Sequence, residues 1–347
     1  MRADIAYLED RLETAADPEV LRQLTRGAQR GLRDVVEHGD DARLDQSQRA
    51  GLEAVVHSDG SRPVLFVEDD FVDVLAPAAS AYAATLSRVE SAVRAVCRAT
   101  GRVEDPSSAL GYQGTAWAVG DGIVLTNYHV LQAISTGGSR ADDVFTGALK
   151  PGVMVDFGAE IGGGPSRRRF PVRRVLGVGR DGDPALAHPE VRGVNFDGLD
   201  VALLELDTVG GQSFPPAVDV ARGDDPTTRG GLASRGRLVY VVGYPGSSRS
   251  TTPDIFAALF AGVKGVKRLT PGLLTAGRGD VEGDGRAWVI GHDASTLGGS
   301  SGSLVVDLEA EARLVLGVHF AGLPGRVNWA YGLEGATSDL RAVMPGW

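Results

Sequence analysis

The sequence of 347 residues holds a single cysteine, Cys97, so it has no internal disulfide framework. A small disulfide-stapled fold is thereby excluded, and the lone thiol leans toward a reducing compartment. No stretch approaches the ~18 uninterrupted apolar residues of a membrane-spanning helix, so no membrane partner is expected. The opening MRADIAYLEDRLETAADPEV mixes acids and bases from the start and lacks the apolar core of a secretory signal, which predicts a cytoplasmic protein. Positive charge is also short. Lys and Arg total 35 against 45 Asp and Glu, a net charge of −10. That balance gives no electrostatic drive toward nucleic acid or anionic lipid. The one basic run, Ser166–Val175 (SRRRFPVRRV), reads better as the solvated face of a strand, because Phe170, Val172 and Val175 interleave with its arginines. Histidines number six. His38, His57, His188 and His292 do not pair with Cys or acids at ligand spacing, so no metal and no cofactor are expected.

Glycine is abundant, with 48 residues, about twice the usual share. That excess suits many tight turns between short strands and argues against a mostly helical protein. The texture changes near residue 98. Before it, apolar residues recur at helical spacing: Ile5, Leu8 and Leu12; Leu21 and Leu24 after the Asp17-Pro18 start signal; Leu32, Val35 and Val36; Leu52, Val55 and Val56; then Leu86, Val89, Val93 and Val96. Val64–Val67 is a short apolar run that predicts a strand. After residue 98 come short apolar or alternating runs punctuated by Gly, Pro and Asp: Thr115–Val119, Ile123–Thr126, Val201–Leu206, Leu238–Val242, Trp288–Ile290, Leu304–Val306 and Leu314–Phe320. Strands of this length and spacing predict an all-β barrel or sandwich, and the segment is long enough for two six-stranded barrels. Residues 223–236 and 246–254 read as polar loops, and Gly277–Arg286 as a hairpin turn.

Hydrolysis of a peptide by a hydroxyl needs a nucleophile, a base for its proton and donors for the developing oxyanion. The strongest nucleophile candidate lies in Thr296-Leu-Gly-Gly-Ser-Ser-Gly-Ser303, where three glycines permit the sharp turns that expose a serine and converge amide groups. The base candidate is His129, reached by a strand, a Gly-Asp-Gly turn and a second apolar strand. The third member is Asp200, which opens the apolar run Val201–Leu206. A carboxylate facing burial needs a partner, and an imidazole N–H is a natural one. Asp197 and Asp183 compete less well. The order His, Asp, Ser differs from that of subtilisin-like enzymes and of α/β-hydrolases. Gly298–Gly302 also matches the G-x-S-x-G elbow, with Ser300 as its serine. That reading fails because the only later histidine, His319, sits on the next strand.

These segments resemble the trypsin-like, chymotrypsin-fold bacterial serine peptidases, most of all the glutamyl endopeptidase branch. The resemblance rests on Gly114–Val130 with its Thr-Asn-Tyr-His-Val ending, Asp200–Leu204, Val242–Gly246, Thr296–Ser303 and Gly317–Gly322, and it spans most of residues 103–345. It implies a mainly β protein of two six-stranded antiparallel β-barrels. A small, mostly helical regulatory or adaptor region (1–97) is expected to precede the peptidase domain (98–347). It also implies Ser301 as nucleophile, His129 as base, Asp200 as the group that orients the imidazole, and the amides of Gly299 and Ser301 as oxyanion hole. Ser300 stands where relatives carry Asn or Asp, and Leu304 where Pro is common. In the glutamyl branch a Thr and a His contact the substrate carboxylate. Thr296 and His319 hold those places here with Ser295 nearby, which implies polypeptide substrates cut after Glu or Asp.

The alternative is a catalytically silent barrel pair used for binding. The leading residues imply a protein partner or an inhibitory segment, and a new N-terminus near Arg102-Val103 is one route to activation.

Overall fold

A computed structural model of the protein describes residues 62–141, 144–162, 168–189, 194–208, 210–224, 231–246, 263–309, 312–323 and 327–343. The helical stripes expected before residue 62 lie outside the described residues, as do 225–230, 247–262 and the first two residues of the basic run.

The expected strand at Val64–Val67 is β1 (Leu65–Glu68), which turns through Asp69 and Asp70 into β2 (Phe71–Val72). Both aspartates have φ in the left-handed region (50° and 63°), which Asp tolerates better than most residues. The stripe Leu86, Val89, Val93, Val96 is buried, as its spacing predicts, but on two helices, α1 (Ala83–Arg88) and α2 (Glu90–Ala99). Val89 (φ −112°, ψ 21°) leaves helical geometry and separates them. The change of texture near residue 98 falls at the last turn of α2.

The first barrel follows: β3 (Thr100–Glu104), β4 (Tyr112–Gly120), β5 (Ile123–Thr126), α3 (Tyr128–Ala133), a side hairpin of β6 (Ser135–Ala141) and β7 (Val144–Leu149), then β8 (Met154–Asp156), β9 (Arg169–Val178) and β10 (Ala202–Leu206). Six of these strands close in the order β10-β5-β4-β3-β8-β9, every neighbour antiparallel. The barrel fills with Val103, Val124, Val155, Phe170 and Leu204. On β9, Phe170 points inward while Arg169, Arg173 and Arg174 pair with Glu104 and Glu205, so the basic run is a solvated, neutralised face.

The second barrel comprises β11 (Leu238–Gly243), β12 (Arg268–Ala276), β13 (Val289–His292), β14 (Leu304–Asp307), β15 (Val315–Leu323) and β16 (Val327–Gly332), with α4 (Thr337–Val343) closing the described chain. Its strands run β11-β14-β15-β16-β13-β12, and antiparallel pairing of β11 with β12 closes the ring. The fold is thus mainly β with two six-stranded antiparallel barrels, as expected.

One hydrophobic cluster joins the barrels. Trp117, Leu125 and Leu203 from the first pack with Tyr240, Leu304 and Val318 from the second. Residues of β1, β2, α1 and α2 belong to the same cluster: Val67, Phe71, Leu86, Val93 and Val96 among them. Fully burying each such side chain contributes roughly 1.5–3 kcal/mol. β1 also extends the sheet of the second barrel, pairing Leu65 with Leu269 and Phe66 with Arg268. The Arg102–Val103 bond lies within β3, with Val103 fully buried, so cutting it would sever a barrel strand.

Candidate active site

β5 ends at Thr126, whose hydroxyl donates to the Thr115 carbonyl of β4 (2.7 Å). The chain turns through Asn127, in extended conformation (φ −82°, ψ 153°), directly into α3. Tyr128, Val130 and Leu131 face the core, which leaves His129 on the exposed side, its side chain 44% accessible. Asn127 Nδ2 donates to the Asp200 carbonyl (2.8 Å) and so ties that residue's backbone to the histidine turn.

Asp200 lies two residues ahead of β10 rather than on it. Its carboxylate accepts twice from His129: Oδ1 from the main-chain amide (2.9 Å) and Oδ2 from the ring Nδ1 (2.6 Å). A carboxylate at Nδ1 holds the proton on that nitrogen and leaves Nε2 as the proton acceptor. Burial by itself lowers the imidazole's pKa. The Asp200 charge and hydrogen bond outweigh it, so the pKa lies above its ordinary value. The competing acids are committed elsewhere. Asp197 binds Arg286 and accepts from the Asp183 amide, and Asp183 caps the short turn at Pro184–Leu186.

The loop Thr296–Ser303 begins four residues after β13 ends at His292 and leads into β14. The Ser300 amide donates to Leu297 O (2.9 Å), the Gly302 amide to His319 O (2.9 Å) and the Ser303 amide to Ser300 O (2.9 Å). The amides of Gly299 and Ser301 donate to no acceptor among the described residues. Gly299 has φ +92° and Gly302 φ +86°, conformations that L side chains rarely adopt, and a Cβ on Gly302 would fall 2.0 Å from Thr115 O. The structure separates the two serines. Ser300 is buried and its Oγ accepts the Leu297 amide (3.2 Å), whereas Ser301 keeps partial exposure.

Thr115 fastens this loop to the first barrel. Its amide donates to Ser301 O (2.8 Å) and its hydroxyl to Gly299 O (3.2 Å). Gly114 separates the two sides: a Cβ there would meet Val130 Cγ2 at 2.7 Å and Ser301 O at 3.0 Å. The backbone of Ser301 therefore neighbours the residue that follows His129. Among the described residues no hydrogen bond joins Ser301 Oγ to the imidazole. A cavity of about 290 Å³ opens beside the His129–Asp200 pair, lined also by Gln132, Arg140, Asn195 and Phe320.

The residues implied for substrate recognition gather at one end of the second barrel. His319 on β15 exchanges main-chain bonds with the loop, its amide donating to Ser303 O (2.8 Å). Its Nδ1 lies 3.2 Å from His292 Nε2. Both rings are buried. Burial pushes His292 down to about 3, and burial with the neighbouring charges of His292 and His129 holds His319 well below the ordinary imidazole value. His319 is therefore neutral at neutral pH. Thr296 Oγ1 donates to Asn328 Oδ1 (2.7 Å), whose Nδ2 donates to Ala294 O (2.9 Å). Ser295 is buried and its hydroxyl donates to the Arg62 carbonyl (2.9 Å).

Sequence reasoning missed Arg62, Asn127, Thr115, Asp293 and Asn328 as members of this neighbourhood. Asn127 and Thr115 stood inside quoted motifs without a role, and nothing local marks the others. His292, set aside for want of a metal partner, pairs with His319 instead.

Residues 114–318 match a family model described as the trypsin-like peptidase domain. A probable serine protease of Lysobacter enzymogenes is 28% identical over 324 residues, covering 87% of this chain and 78% of that protein. Among solved structures, the inactive form of a serine-to-alanine mutant of Rv3671c from M. tuberculosis H37Rv aligns with a TM-score of 0.41 and 20% identity, over 74% of this chain and 91% of its own.

Proposed function

The chain belongs to the trypsin-like peptidase family, and from that premise we propose that it is a serine endopeptidase working through His129, Asp200 and Ser301. The observation that carries this reading is the doubly bonded His129–Asp200 pair, set beside a glycine-rich loop whose Gly299 and Ser301 amides donate to no acceptor among the described residues.

In the proposed reaction Ser301 Oγ attacks the scissile carbonyl carbon and passes its proton to His129 Nε2. The Gly299 and Ser301 amides receive the oxyanion. As the tetrahedral species collapses, the C–N bond breaks and the imidazolium returns the proton to the leaving amine. Water repeats the sequence on the acyl-enzyme, releasing the acid and restoring Ser301. Asp200 stays ionised throughout, fixing the tautomer and stabilising the imidazolium. Removing any one of the three residues from such a set costs several orders of magnitude in rate.

The finer reading is a preference for Glu or Asp before the cut bond, as in the glutamyl endopeptidase branch. His292 Nδ1 is buried without a partner among the described residues. An orphaned acceptor is tolerated better than an orphaned N–H, which favours the His292 proton on Nε2, donating to His319 Nδ1. The His319 proton then sits on Nε2, where it can donate to a substrate carboxylate. Thr296 supports the same end if its hydroxyl turns from Asn328 to the substrate.

A fluorophosphonate probe tests the chemistry: wild-type protein labels and Ser301→Ala does not. Wild type that neither labels nor cleaves casein supports the alternative of a silent binding module. A peptide library then reads the preference, which is overturned if Gln or apolar residues are cut as readily as Glu and Asp.

A further inference from the structure

The segment Asp293–Thr296 connects β13 to the nucleophile loop and belongs to no strand. No ladder of main-chain pairs fixes it, although it carries two of the residues assigned to substrate recognition. What holds it comes from far away in the chain. Arg62, just ahead of β1, grips the Asp293 carboxylate with two parallel bonds, Nε to Oδ1 (2.6 Å) and Nη2 to Oδ2 (2.5 Å). That fork fixes orientation as well as distance, which a lysine could not reproduce. The main-chain carbonyl of Arg62 accepts the Ser295 hydroxyl (2.9 Å). One residue therefore holds positions 293 and 295 together, with its side chain and its backbone.

The support beneath is equally specific. Asp293 exchanges bonds with Leu273 of β12, its amide to Leu273 O (3.1 Å) and Leu273 N to its Oδ1 (2.7 Å). Ala294 rests on Gly272, where a Cβ would fall 2.7 Å from Ala294 N. β1 lies along β12 next to this point, and the Val67 amide donates to Lys267 O (3.2 Å). The strand that follows Arg62 is thus sewn into the second barrel's sheet.

We infer that Arg62 is a positioning residue for substrate recognition: the strap from Arg62 to Val72 forms part of the floor behind Ser295 and Thr296 and sets which side chain is accepted before the cut bond. This rests on the endopeptidase reading above. Arg62 touches no reacting atom, so its loss acts on recognition and not on the proton transfers.

The test uses the full chain with Arg62→Ala, Arg62→Lys and Asp293→Asn, assayed on chromogenic peptides that differ only in the residue before the cut bond. Alongside runs the labelling rate with a small alkyl fluorophosphonate, which reports Ser301 and His129 without needing that pocket. The expected result for Arg62→Ala is a KM raised between about 10- and 100-fold on the best peptide, a smaller change in kcat, a flattened preference, and labelling within about twofold of wild type. Arg62→Lys recovers part of the preference. An unchanged preference and KM in folded Arg62→Ala and Asp293→Asn overturns the inference. So does a uniform loss across all peptides and labelling, which marks a merely structural residue. Should Arg62→Ala fail to fold, the comparison of Arg62→Lys and Asp293→Asn decides on the same criteria. A wild-type chain that neither labels nor cleaves overturns the catalytic reading and this inference with it.

Discussion

The Thr115 amide donates to the Ser301 carbonyl at 2.8 Å, a bond from β4 of the first barrel to the Thr296–Ser303 loop of the second. The histidine turn belongs to the first barrel, so this bond sets the registration between the His129 turn and the Ser301 loop. Gly302 makes the approach feasible, because any side chain there would overlap Thr115 O. Replacing Gly302 with Ala combines a strained φ with a steric overlap and is expected to cost about 3 kcal/mol. Fluorophosphonate labelling should fall with it. Urea unfolding and labelling, measured on the same preparation, check both; a variant as stable and as reactive as wild type contradicts the packing described.

Catalysis should follow the titration of His129. In the proposed reaction His129 must be neutral to act as base, so kcat/KM should rise with pH through the imidazole pKa, which Asp200 holds above the ordinary value. Asp200→Asn removes the charge that raises it. The acid limb should move to lower pH, and the plateau rate should drop about 10⁴-fold because the tautomer is no longer fixed. A pH–rate profile of both proteins measures the two effects. A limb that stays in place contradicts the role given to Asp200.

Stability should fall on acidification because of the buried imidazoles. His292 is depressed to about 3 and His319 well below its ordinary value. Below the unfolded pKa of about 6.5 the unfolded chain binds protons that the folded one does not. Each ring then contributes a slope of about 1.4 kcal/mol per pH unit, with stability rising as pH rises. The window runs from about 6.5 down through the folded values. His292→Phe should remove one ring's share and flatten the profile between pH 6.5 and 4.5. Urea midpoints across that range give the answer, and equal slopes for both proteins contradict it.

Lys267 is fully buried at the start of β12. Its ammonium donates to Cys97 O (2.7 Å), Phe157 O (2.9 Å) and Glu160 Oε1 (2.7 Å), joining α2, the first barrel and the second. Cys97 O also accepts the Thr100 amide, so Lys267→Met leaves Phe157 O without a donor among the described residues and Glu160 without its nearest cation. The expected loss is about 3–5 kcal/mol. Adding Glu160→Gln should return part of it, since neighbouring substitutions couple. Denaturant unfolding of the single and double variants tests this, and strict additivity counts against the network.

Much of the architecture was legible in the order of residues. Ile123–Thr126 emerged as β5 without adjustment, and Gly277–Arg286 spans the turn between β12 and β13. β12 itself escaped, because Pro271 and Gly272 inside it carry the signature of a break. The strand survives because its β1/β13 side has no ladder between Leu269 and Leu274, while β11 pairs along the other. The β6–β7 hairpin, polar and largely exposed, gave no apolar alternation to read.

The candidate site divides in the same way. His129, Asp200 and the serine loop are local motifs, His129 just after a strand and the other two just before one, and such patterns depend only on neighbours in the chain. The burial of Ser300 beside a partly exposed Ser301, the neutral His292–His319 pair and the grip of Arg62 on Asp293 depend on groups brought together from up to 231 positions apart. Periodicity and propensity act over a turn or a strand. Burial and electrostatic partnership exist only once the barrels have closed, so those features belonged to the tertiary structure alone.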